Sequence, residues 1–73
     1  MKYLQDIKEN LTTSKDVLNS AISTSRTIRE NGDSIIFLNS IEEMLSLSNK
    51  INNATLTLVN EAKNEILNKS EEI

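Results

Sequence analysis

Seventy-three residues make one domain at most, and a chain of that length buries only about 60% of the surface its unfolded form exposes. With neither Cys nor His, the disulfides and zinc sites that staple small domains are excluded, as is imidazole acid–base chemistry. A net charge of -3 and a pI near 4.8 exclude the clustered cationic surface that a phosphate backbone requires, so no nucleic-acid partner is expected.

The absence of Pro, a single Gly and a charged fraction of 26% predict an all-α chain. From Lys2 to Asn31, apolar residues recur at helical spacing. Leu4, Ile7, Leu11, Leu18, Ala21 and Ile28 form a heptad seam whose other positions are Ser14 and Ser25, widened by Val17 and Ile22. Glu30-Asn31-Gly32-Asp33-Ser34 follows. Its Gly suits a helix C-cap, where the backbone takes positive φ, and Asp33 or Ser34 can cap the next helix. The turn therefore falls at 31–34, and a second helix runs from about Ser34 to Lys69, with a frayed tail beyond it. Two internal start signals compete with continuous helices: Ser40-Ile41-Glu42-Glu43, a capping box, and the weaker Thr13-Ser14-Lys15-Asp16. The heptad phase runs through both without slipping. Helices joined by so short a turn lie antiparallel, giving a coiled-coil-like two-helix hairpin completed by a partner chain or by self-association.

The second helix carries two apolar stripes. Leu38, Leu45, Asn52, Val59, Ile66 and Ile73 are spaced by heptads, with Ile41 and Ala62 between them; beside them run Phe37, Met44, Leu47, Ile51, Ala54 and Leu58. Two stripes exceed what one neighbouring helix covers. From Met44 to Asn60 the only charge is Lys50, and depletion of charge is the mark of an interface core. Phe37, Met44, Leu47, Ile51, Ala54 and Leu58 are the expected partner-binding residues, and Met44 suits an adaptable groove. The alternative makes that stripe the hairpin core and puts Leu38, Leu45 and Val59 at its edge.

Little in the chain carries chemistry. Glu61 and Glu65 share a helix face, but Lys63 stands nearby and no cavity is expected to desolvate them. The adjacent acids Glu42 and Glu43 suit a helix start. Arg26 and Arg29 read as a solvated helix end, and the N-x-[ST] triplets at Asn10, Asn53 and Asn68 as chance in a chain rich in Asn, Ser and Thr. No enzyme, metal or cofactor is expected. No segment reaches the ~20 apolar residues of a membrane span. Lys2, Asp6, Lys8 and Glu9 interrupt anything like a signal peptide, which predicts a cytoplasmic chain.

The stretch RENGDSIIFL, with Gly32, Asp33 and Phe37, resembles the turn of the small co-chaperones of type III secretion needle subunits. That resemblance implies an antiparallel α-hairpin in the bacterial cytoplasm, one that joins a larger helical-repeat chaperone to keep the needle subunit soluble. LSLSNKINNA, with Val59 and Lys63, is similar to the C-terminal helix of the needle subunits themselves, although this chain lacks the Pro of their loop and ends in the acidic Glu71-Glu72. A further alternative is a self-associating module of a phage or mobile element, or a type VII-like helical hairpin. The Trp-containing turn of the type VII family is missing here, with Asn31-Gly32 in its place.

Overall fold

The computed structural model describes residues 2–27 and 34–71. Helix α1 is Lys2–Thr27 and helix α2 is Ser34–Glu71. They pack against each other as an all-α hairpin, 64 Å in its longest dimension and 14 and 12 Å in the other two. Bonds from Ser14 to Ser48 and Asn52 set the middle of one helix beside the middle of the other, and the short connection makes them antiparallel. The expected Gly32 C-cap, the turn at 31–34, the end of helix one near Asn31 and the last residues of the tail lie outside the described residues.

Both helices are continuous. Ser40 and Thr13 lie inside them, so neither internal capping signal is used, and Glu42 and Glu43 stand two turns in from the start of α2. Residues that ordinarily weaken helices are accommodated by back-bonding. The Thr12, Thr13, Thr55 and Thr57 hydroxyls donate to the carbonyls of Lys8, Glu9, Ile51 and Asn53, four residues earlier, while Ser25 and Thr27 donate to Ile22 and Thr24. Such bonds satisfy the hydroxyl without breaking the ladder.

Heptad letters make the packing clear. The fully buried residues are small and all fall on one row, a: Ser14 and Ala21 on α1, then Ser48, Thr55 and Ala62 on α2. The half-buried row d, beside it, is Tyr3, Asn10, Val17 and Thr24 on α1, and Phe37, Met44, Ile51, Leu58 and Glu65 on α2. Small a residues allow close approach of the two backbones, toward the ~8 Å end of the usual range of interaxial distances. The core is correspondingly thin, and among the described residues no large side chain is fully buried.

This placement corrects the seam expected for helix one. Ile7, Ser14 and Ala21 belong to it, but Leu4, Leu11 and Leu18 are exposed, and Ile22 with them. The row beside a on α1 is Tyr3 in the first turn, then the smaller or more polar Asn10, Val17 and Thr24. On α2 the seam is the stripe of Phe37, Met44, Ile51 and Leu58, while Leu38, Leu45 and Ile66 face outward and Val59 is half-buried. Both choices have one physical cause. In an antiparallel pair the two d rows share one side of the hairpin, so the bulky d residues of α2 are best met by the slim Asn10, Val17 and Thr24, with Tyr3 in the first turn of α1 the one large member of its row.

Candidate interaction face

The rows turned outward are the e positions, adjacent to a on the side away from d. On α1 these are Leu4, Leu11, Leu18 and Ser25; on α2 they are Leu38, Leu45, Asn52, Val59 and Ile66. In an antiparallel pair the two e rows lie on the same broad side, so both contribute to one surface. None of these residues is charged. Leu11 keeps 54% and Leu45 52% of its surface exposed. Adding the b positions that border the e rows, nine of the twelve exposed large hydrophobics among the described residues fall on this side. That concentration is not the ordinary scatter of surface leucines. The opposite side is mostly polar, with Asp6, Thr13, Ser20 and Thr27 on α1 and Ser40, Glu61 and Asn68 on α2.

Charge borders the face without entering it. Lys8 and Lys15 stand at b positions along the α1 edge, and Glu42 and Lys63 at b positions along the α2 edge. An apolar middle with a charged rim is the anatomy of a protein interface.

Polar residues beneath the face are fully satisfied. The Ser14 hydroxyl donates to Asn52 Oδ1 at 2.9 Å, so its Oγ serves as acceptor for Ser48 in the 3.0 Å contact between the two hydroxyls. Among the described residues no buried side-chain nitrogen or oxygen lacks a hydrogen-bond partner. Asn52, an exposed residue, sits at the middle of the α2 e row with one carbonyl lone pair tied to α1.

The six residues expected to bind a partner separate here. Phe37, Met44, Ile51 and Leu58 are half-buried in the d row between the helices, whereas Leu47 and Ala54 are exposed on the opposite flank. The e rows, taken in the sequence as hairpin seam, make the open apolar face. Their signal was present as regular leucines, but a heptad count alone assigned them inward.

The carboxylates are dispersed. Glu65 pairs with Lys69 at 3.5 Å one turn on, and among the described residues no three of His, Cys, Asp and Glu cluster as metal ligands. A shallow hollow on α1 is lined by Gln5, Lys8, Glu9, Thr12 and Thr13, with Gln5 donating to Glu9 at 3.0 Å. One helix wall does not enclose a ligand. Among the described residues no helix is long and apolar enough to cross a membrane. No protein-family model matches the chain, nor does any curated protein or solved structure.

Proposed function

We propose that this chain is a non-enzymatic interaction protein, a helical hairpin whose e-row face covers apolar helix surface on another polypeptide. The supporting observation is the pair of uncharged, mostly apolar e rows, Leu4, Leu11 and Leu18 beside Leu38, Leu45, Val59 and Ile66, on one side of a molecule whose own core is made of Ser, Thr and Ala. A hairpin with so thin a core gains most of its remaining hydrophobic stabilisation by covering that face.

The role this face fits best is that of a bacterial cytoplasmic co-chaperone, in which the hairpin joins a larger helical chaperone and together they keep a type III secretion needle subunit soluble. The resemblance of RENGDSIIFL to that family's turn supports the assignment. Co-expression of the tagged full chain with a tetratricopeptide-type chaperone and a needle subunit from the same genome tests it. A stable three-chain complex that is lost in a Leu11→Glu, Leu45→Glu variant is expected. Failure of the unaltered chain to hold either protein overturns the role. A second reading, a self-associating module, is favoured by one observation, the position of Asn52 at the middle of the face.

A further inference from the structure

We infer that the e-row face is self-complementary and that two copies of this chain close face to face as a two-fold symmetric four-helix bundle with Asn52 on the axis. The inference deepens the self-associating reading by naming a second copy as the occupant of the face; it rests on the reading above only in taking the face as a docking surface, and a closed dimer leaves that face no room for a larger chaperone.

The register of the hairpin carries it. Ser14 bonds both Ser48 and Asn52, so it stands level with their midpoint, near position 50. Three residues back along α1, ~4.5 Å at 1.5 Å per residue, Leu11 stands level with position 53, within about a residue of Asn52. Leu11 is the middle of the three e-row leucines of α1, and Asn52 the middle of the five e-row residues of α2. Both stripes are therefore centred at the same height. A half-turn about an axis through that level, lying in the face and across the helices, returns the face to itself, which is the condition for an isologous interface.

That operation pairs like with like. Leu11 meets Leu11 of the second copy, Leu4 meets its Leu18, Leu45 meets its Val59, and Leu38 meets its Ile66. Asn52 meets Asn52, and because Oδ1 keeps a second lone pair beyond the one that accepts from Ser14, the amide NH2 of each copy donates to Oδ1 of the other across the axis. Along the α2 edge Glu42 comes opposite Lys63 of the second copy, an attractive pair made twice. Along the α1 edge Lys8 comes opposite Lys15, each with an acid beside it, Glu9 and Asp16, so the α2 edge sets the register. Turning the second copy about an axis parallel to the helices would instead set each Asn52 against Leu11, leaving amide groups against hydrocarbon. A single polar pair in an apolar seam fixes orientation in this way. The area is adequate: from Leu38 to Ile66 the face runs ~42 Å at 1.5 Å per residue and the hairpin is 14 Å across, which offers on the order of 600 Å² to each partner, the lower end of specific interfaces.

The chain contains no Cys, so a single introduced thiol reports the axis directly. In the full chain, Asn52→Cys is expected to cross-link under mild oxidation into a covalent dimer, while Ser46→Cys, at the outer edge of α2 and ~18 Å along the bundle from its counterpart at 1.5 Å per residue, is not. Light scattering is expected to give twice the chain mass, and Leu11→Glu with Leu45→Glu to raise the dimer dissociation constant at least a hundredfold while helicity is retained. Glu42→Lys is expected to weaken the dimer, and addition of Lys63→Glu to restore it. A helical monomer overturns the dimer and leaves the docking face to be judged by the three-chain test. A dimer that cross-links through position 46 but not 52 overturns the axis. A dimer unaffected by the two Leu→Glu changes overturns the inference and the face together.

Discussion

Ser14→Ala removes a side chain that ties the helices together through polar bonds. Its hydroxyl donates to Asn52 Oδ1 and accepts from Ser48, at 2.9 and 3.0 Å, and a typical bond of this kind contributes about 1 kcal/mol net. The two losses are unequal. Asn52 is exposed, so water replaces its lost donor at small cost. Ser48 is only 3% exposed, and its proton must turn to the carbonyl of Met44, four residues earlier, as the Thr55 hydroxyl already does to Ile51. Together these cost about 1.5 kcal/mol, and the better helix propensity of Ala offsets about 0.5 of it. The net loss of about 1 kcal/mol lowers Tm by about 4 to 8 °C in a domain of this size. Thermal melts followed by circular dichroism, at one fixed chain concentration because association shifts apparent stability, measure it. The Ser14→Ala, Ser48→Ala double variant should then show a coupling of about 0.5 to 1 kcal/mol. Unchanged or raised Tm for the single variant, with strict additivity in the cycle, would refute the reasoning.

Further expectations follow from which row faces where. Met44→Glu puts a charge in the half-buried d row and should reduce helicity of the chain by itself. Leu45→Glu, one residue on and exposed, should keep helicity and reduce only association; circular dichroism with sedimentation of both variants separates the two, and equal behaviour would contradict the assigned rotation of α2. Ala21→Leu forces a large side chain into a buried small position between the helices and should cost about 1 to 3 kcal/mol in a denaturant melt, whereas Ile22→Leu should be nearly silent. Lys69→Ala deletes the exposed pair with Glu65 and should change stability by less than about 0.5 kcal/mol, with little dependence on salt.

The all-α class, the two long amphipathic helices and the Ser34 start of α2 are set by local features: no Pro, helical spacing, and hydroxyl residues able to back-bond their own helix. That α2 has more apolar surface than one helix can cover was equally legible between Phe37 and Ile66. The rotation of each helix was not. Row a lies between rows d and e, about 60° from one and 40° from the other on the helical wheel, and either neighbour completes a seam with alternating steps of three and four. Periodicity therefore gave Leu4, Leu11 and Leu18 the same claim to the interior as Tyr3, Asn10 and Val17, and hydrophobicity favoured the leucines. What decides is a property of the pair: the antiparallel fold places both d rows on one side, where Phe37, Met44, Ile51 and Leu58 need slender neighbours, and both e rows on the other. The sequence by itself determined which residues are helical and that a surface is left over. Only the tertiary structure decided which surface it is, because the fit between two rows belongs to neither helix alone.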